Sequence, residues 1–220
     1  MTVSYSLAIL SDVKSWINAY IPAFIKSLQH LGHTVTWVHQ PQDLPQGEIA
    51  FFLGCYSLVK APELAKHKHN VVVHASDLPK GRGWAPLAWQ ILEGKNEVPI
   101  VMFEAQTGMD TGNIYLKDTL VFEGHELSDE IRQAQAEKTL AMCHTFLAQY
   151  PTILEVQQEQ QGEPTFYQRR TSESSRLDIH RTLAEQFQLL RIVDNQDYPA
   201  FFEHQGHRYT LTIHKTSSSS

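Results

Sequence analysis

Val71-Val72-Val73-His74-Ala75-Ser76-Asp77-Leu78-Pro79-Lys80-Gly81-Arg82-Gly83-Trp84-Ala85-Pro86 is the stretch on which the fold turns. Its β-branched opening reads as a strand buried on both faces. That strand delivers His74 at its C-terminal end, and in an open α/β sheet ligands bind at that end. Gly81, Gly83, Pro79 and Pro86 then set a loop of unusual backbone angles before the next helix.

Upstream, residues 7–10 form a short apolar run closed by the polar turn Ser11-Asp12. Trp16, Ile17, Tyr20, Ile21, Phe24, Ile25 and Leu28 recur at helical spacing, with Ser15 as N-cap and Gly32 as the stop. Residues 34–38 and 49–53 read as further strands, and 98–103 as a fifth. Short apolar strands separated by helices predict an α/β fold, a Rossmann-like, mostly parallel sheet with helices on both faces. The pattern changes after about Asp118. Residues 130–147 read as a long helix ended by Tyr150-Pro151. Residues 156–164, rich in Gln and Glu, read as a surface connection without chemistry of its own. Residues 179–190 read as a helix, and 200–203 with 208–213 as a hairpin about His204-Gln205-Gly206-His207. The expected organisation is a catalytic domain over 1–155, a small C-terminal substrate-binding appendage with a helix and β-hairpin over 156–216, and a fraying tail over 217–220.

The 220 residues suffice for one such core. At 42% hydrophobic and 19% charged, the chain has the composition of an ordinary globular protein rather than a disordered one. A net charge of -6 with no long basic stretch leaves no footprint for a nucleic-acid partner. Cys55 and Cys143 match no metal or redox spacing and read as reduced thiols. No apolar run is long enough to span a membrane, and no export signal is read at the start. The expected compartment is therefore the cytoplasm.

The strand 98–103 is followed by Glu104-Ala105-Gln106-Thr107-Gly108-Met109-Asp110-Thr111-Gly112, a loop expected to bring Asp110 to the same sheet edge as His74. A histidine and an aspartate framed by glycine loops are candidates for an acid/base pair. His67-Lys68-His69 reads as a pair of surface histidines ahead of the strand, not a metal site. Ser11, Lys14 and Ser15, at the start of the first helix, are candidates to hold a phosphate through backbone N–H groups and the lysine. Trp16 and Tyr198 are candidates to stack on a base or sugar. Arg169, Arg170 and Arg191 are candidates to pair with a diphosphate.

His74-Ala75-Ser76-Asp77-Leu78-Pro79-Lys80-Gly81-Arg82-Gly83 resembles the His-x-Ser-x-Leu-Pro-x-x-Arg-Gly loop of the folate-dependent formyltransferases, and Asp110-Thr111-Gly112 their Asp-Thr-Gly loop. The two together, about 35 residues apart, are far more specific than either alone. Tyr167-Gln168-Arg169-Arg170, Arg176-Leu177-Asp178-Ile179 and Tyr198-Pro199-Ala200-Phe201-Phe202 are similar to the C-terminal segment of the sugar N-formyltransferase branch. The resemblance implies the formyltransferase fold and 10-formyltetrahydrofolate as donor. It implies the amine of a nucleotide-linked 4-amino-4-deoxy sugar as acceptor, in surface polysaccharide or lipopolysaccharide biosynthesis. His74 would then donate to the developing oxyanion or carry the proton, and Asp110 would orient His74. The pterin would lie against Leu78 and the backbone of Phe103, Glu104, Ala105 and Thr107.

One position departs from the family pattern. The asparagine usual two residues before the histidine is Val72 here, and Asn70, four strand residues from His74, is too far away to replace it. Ser76 and Asp77 remain open as substitutes. Two other readings use the same site: a formyl-folate hydrolase with water as acceptor, and a non-catalytic nucleotide-sugar or folate binder, which Val72 motivates. A homodimer through the C-terminal hairpin is the assembly considered.

Overall fold

The computed structural model describes residues 3–216, so the expected tail over 217–220 lies outside the described residues. Six strands form the central sheet: β1 Ser6–Leu10, β2 Thr34–Val38, β3 Gly47–Phe52, β4 His67–His74, β6 Glu97–Glu104 and β7 Ile114–Val121. A two-residue strand, β5 Arg82–Gly83, lies between β4 and β6 in the chain but outside this sheet. The order is β2-β1-β3-β4-β6-β7. The first four strands are parallel, and β6 and β7 each run antiparallel to their neighbours. The sheet is thus mixed and mostly parallel, as the alternation of strands and helices predicts.

Alternation along the strands sorts side chains to two faces. Leu7, Ile9, Ile49, Phe51, Val71 and Met102 join one large core cluster. That face carries the helices α1 Ile21–His30, α3 Pro86–Leu92 and α4 Ser128–Gln149. Ala8, Leu10, Ala50 and Phe52 face the other way, into a smaller cluster. The four-residue helix α2 Ala61–Leu64 lies on that side, with Leu64 packed against the cluster. Gln149 is the last helical residue of α4, and Tyr150, ahead of Pro151, is extended.

Several boundaries differ from expectation. The first helix starts as a single 3-10 turn over Trp16–Ala19, and α1 begins only at Ile21. β4 begins four residues early, so His67 and His69 lie inside it. His67 is buried rather than on the surface, its ring packed where a Cβ on Gly47 would clash, and the Nδ1 of His69 contacts Glu104 at 3.3 Å. β7 was not expected; it is an edge strand with Lys117, Asp118 and Thr119 exposed, so its apolar signal is diluted.

The predicted helix over 179–190 is the largest error. Only α5, Phe187–Ile192, is helical. The Asp178 carboxylate accepts from the N–H of His180, Thr182 and Glu185 bond each other's backbone N–H, and Gln186 bonds the carbonyls of Asp178, Arg181 and Thr182. These local bonds compete with a helix ladder. They leave Ile179 and Leu183 exposed.

Beyond α4, the strand β8 Phe166–Tyr167 pairs with β5, and β9 Ala200–His204 with β10 His207–Leu211 forms the expected hairpin. Residues 158–167 are therefore stitched to the main body, with Gln158 bridging Ile114 and Thr165 bonding Gly81 and Arg82. No helix among the described residues is long and apolar enough to cross a membrane.

Candidate active site

His74 ends β4, and its ring is mostly buried. Its Nε2 lies 2.8 Å from the carbonyl oxygen of Gly81. A carbonyl only accepts, so Nε2 carries a proton, and the neutral form of the ring has its lone pair on Nδ1. Asp110 Oδ2 lies 3.8 Å from the same Nε2 and accepts a hydrogen bond from the N–H of Gly83 at 2.7 Å. The expected pair therefore meets, with the carboxylate in ion-pair range of the ring and the Gly81 carbonyl as its direct hydrogen-bond partner.

The route to that meeting differs from adjoining strand ends. β6 runs against β4, with His74 opposite Val101 and Val71 opposite Glu104. The loop after Glu104 leaves the sheet level with Asn70, whose carbonyl accepts from Ala105 at 2.6 Å. It then folds back to bring Asp110 to His74. Asp110 itself has a φ of 49°, the left-handed region that aspartate tolerates better than most residues. Across from it, Gly83 has a φ of 101°, and a Cβ there would meet the Tyr167 backbone carbonyl. Only glycine lets β5 lie this close to β8.

His74 and Asp110 line a cavity of about 1080 Å³. Phe52, Val59, Leu64, Val72, Phe103 and Ala105 make an apolar stretch of its wall. Thr111 also lines it, with a hydroxyl oxygen buried and unpartnered. Around the rest lie Asp12, Tyr56, Trp84, Arg132, Arg169 and Tyr198. Tyr56 and Trp84 stack at 6.1 Å with planes 14° apart, and the Arg169 guanidinium lies 5.3 Å from the Trp84 ring centroid. Arg132 pairs with Asp194 at 2.7 Å. Cys55, also in the wall, donates its thiol to the Leu10 carbonyl, and burial, helped by the charge of Asp12, pushes its pKa up. It stays a thiol and is no nucleophile.

Of the residues picked from sequence, Lys14, Trp16, His74, Phe103, Ala105, Asp110, Arg169 and Tyr198 line this cavity. Arg170 lines it too, but it is partly buried and bonds the carbonyls of Ile192 and Ser174. Others require correction. Arg191 is fully buried and bonds Glu126, Asn96 and Gln188, so it cannot clamp a diphosphate. Ser11 is fully buried; its N–H goes to Val38 and its hydroxyl to Asn18. Ser15 gives its hydroxyl to Gly54 and its N–H to Asp12. Both are spent on holding the loop and have nothing left for a phosphate.

Among the donor-side residues, Leu78 packs against Val101, Phe103 and Ile114 rather than lining the cavity. Glu104, expected to contribute its backbone, is absent from the wall, with its N–H on the Asn113 carbonyl and its carboxylate taken by the Asn70 N–H, the Tyr115 hydroxyl and His69. Thr107 is exposed outside the cavity wall. Ser76 and Asp77 line a separate, smaller depression, so neither replaces the missing asparagine. Asn70 donates to Leu64 and is likewise absent from the wall. Sequence reading missed Tyr56 and Arg132. Tyr56 follows the end of a parallel strand, a position that the ligand rule for α/β sheets points to; Arg132 on α4 had no such signal.

The chain matches no family model. Over 154 residues, 68% of the chain, it is 27% identical to a methionyl-tRNA formyltransferase of Mycoplasma capricolum. The chain spans about a third to a half of the length of the curated relatives that it matches. Among solved structures it is similar to a methionyl-tRNA formyltransferase from Clostridium thermocellum, at 24% identity and a TM-score of 0.81 over 98% of this chain and 95% of that one. A 4-N formyltransferase from Francisella tularensis gives 13% identity and a TM-score of 0.74, over 97% of this chain and 98% of that one. HypX from Aquifex aeolicus, in complex with tetrahydrofolic acid, gives 15% identity and 0.79 over 95% of this chain and 37% of that one.

Proposed function

We propose that this chain, a relative of the formyltransferases in sequence and in fold, transfers a formyl group from 10-formyltetrahydrofolate to the amine of a nucleotide-linked amino sugar. The observation that carries the reading is His74 and Asp110, 3.8 Å apart, in the wall of a cavity with room for two ligands. The residues present suit a folate. Val72, Phe103 and Ala105 offer an apolar wall to a flat ring, and the unpartnered Thr111 hydroxyl offers a hydrogen bond at its edge. When bound, the folate supplies an activated formyl carbon.

The remaining chemistry belongs to the chain. The Gly81 carbonyl fixes the His74 ring through Nε2, which leaves Nδ1 as the nitrogen able to take a proton. When the ring takes the amine's proton, the Asp110 carboxylate, held by the Gly83 N–H, stabilises the positive charge. Val72 provides no donor, so His74 acts without a neighbouring amide. Tyr56, Trp84, Arg169 and Tyr198 suit the acceptor, with aromatic faces for a base or sugar and a cation for a diphosphate.

A second acceptor, methionyl-tRNA, is favoured by the 24% identity to the Clostridium thermocellum enzyme over nearly the whole of both chains. The net charge of -6 weighs against a polyanion of that size. The deciding experiment incubates the chain with 10-formyltetrahydrofolate and, in turn, UDP-, dTDP- and GDP-linked amino sugars and methionyl-tRNA. Tetrahydrofolate release and the acceptor's mass are both read. A formylated sugar supports the proposal, and a formylated methionyl-tRNA replaces it with the second reading. Release without acceptor marks a hydrolase, and binding without turnover a binder.

A further inference from the structure

The structure assigns Gln160 the task of holding the His74 loop and the Asp110 loop in one arrangement. This inference rests on the reading of His74 and Asp110 as the reacting pair. Gln160 lies in the polar connection that the sequence left without chemistry. Its Oε1 accepts from Nη2 of Arg82 at 2.6 Å. Its Nε2 donates to the carbonyls of Asp110 and Gly112, at 2.9 and 3.0 Å. One side chain thus joins two loops 50 and 78 residues away in sequence.

The place of the bonds matters more than their number. Arg82 sits between Gly81, whose carbonyl faces His74, and Gly83, whose N–H faces the Asp110 carboxylate. The two carbonyls that Gln160 grips flank Thr111, so they set the turn from which Asp110 projects. Gly81, Gly83, Asp110 and Gly112 all have φ between 49° and 118°. A loop built on such angles depends on outside contacts to hold one conformation. Gln160 closes a circuit from His74 through Gly81, Arg82 and Asp110 back to Gly83. It is a positioning residue, acting through Arg82 and Asp110 without touching a reacting atom.

The test compares Gln160→Ala and Gln160→Glu with Gln157→Ala, a control on the same segment whose side chain makes one solvent-exposed hydrogen bond, to the Asn113 amide. Gln160→Glu can still accept from Arg82 but has no amide donors for the two carbonyls. Both Gln160 variants are expected to lower kcat roughly 10- to 100-fold, the scale of an ångström-sized misplacement. KM should stay within about twofold, with kcat taken per folded molecule as counted by calorimetry, because a loss of folded protein alone would also lower the apparent kcat at constant KM. Hydrogen–deuterium exchange should quicken in residues 81–84 and 108–113 and stay unchanged in β1 and β3. Gln157→Ala should match the parent in both measurements. The inference is overturned if Gln160→Ala leaves exchange in those two loops unchanged, if Gln157→Ala slows turnover equally, or if Gln160→Glu keeps full rate. If the parent formylates no acceptor, the functional reading fails, and the exchange experiment still decides whether Gln160 holds the loops.

Discussion

Replacing Arg191 with methionine separates a structural arginine from a ligand-binding one. The side chain is fully buried, and Nε, Nη1 and Nη2 all donate to protein groups, among them both the carbonyl and the carboxylate of Glu126. Methionine fills similar volume and leaves the Glu126 carboxylate, 15% exposed, without its cation. Removing one partner of a buried pair costs about 3–5 kcal/mol. For a domain of this size each kcal/mol moves Tm by about 2–4 °C, so the expected fall is about 6–20 °C. Thermal unfolding by calorimetry gives the shift, and steady-state kinetics well below the new Tm gives KM for the acceptor. The expected result is a large loss of Tm with an unchanged KM. A diphosphate clamp would behave the opposite way, because an exposed substitution moves stability by about 0.5 kcal/mol or less. A Tm within 2 °C of the parent together with a raised acceptor KM would refute the assignment.

His74→Ala and Asp110→Asn should each lower formyl transfer at least about 100-fold, with unchanged circular dichroism; near-parental rates in either would remove that residue from the mechanism. Val72→Asn restores an amide beside His74 and should raise turnover about tenfold or more, while lowering Tm by placing a polar group against Phe103 and Leu78. A slower or equal rate would show that the site is not short of a donor. Burial works to raise the Glu126 carboxyl, but bonds from backbone N–H groups, those of Glu123 and Gly124 among them, hold it at about 2 against an ordinary 4.5. Its stabilising effect is therefore complete above pH 4.5 and is lost as pH falls toward 2. Glu126→Gln should flatten the fall in Tm across that window, and an undiminished slope would contradict this origin.

Where apolar periodicity is strong, the elements were legible: β1, β2, β3, α4 and the C-terminal hairpin lie within about two residues of expectation. β4 begins earlier than read because His67, Lys68, His69 and Asn70 are polar, yet His67, His69 and Asn70 pair with β3. The helix over 179–190 failed because Asp178, Thr182 and Gln186 take the backbone groups that a helix needs. The site divides the same way. His74 and Asp110 sit in short contiguous motifs, and their meeting could be foreseen. Tyr56, Trp84 and Arg169 come from three separate loops, and only the fold brings them together. Arg191 is held by Glu126, 65 residues away, and nothing local distinguishes such an arginine from a surface one.

The two margins of the central sheet differ in how they meet solvent. β7 carries Lys117 and Asp118 outward, and Lys138 pairs with Asp118 at 2.8 Å, so an incoming chain meets charge there. β2, at the opposite margin, is Thr-Val-Thr-Trp-Val and bears no charge at all. Uncharged β-branched margins template strand addition, whereas lysine on a margin blocks it. Aggregation under partial denaturation should therefore nucleate at β2, and a lysine in place of Thr36 should delay it without touching the cavity.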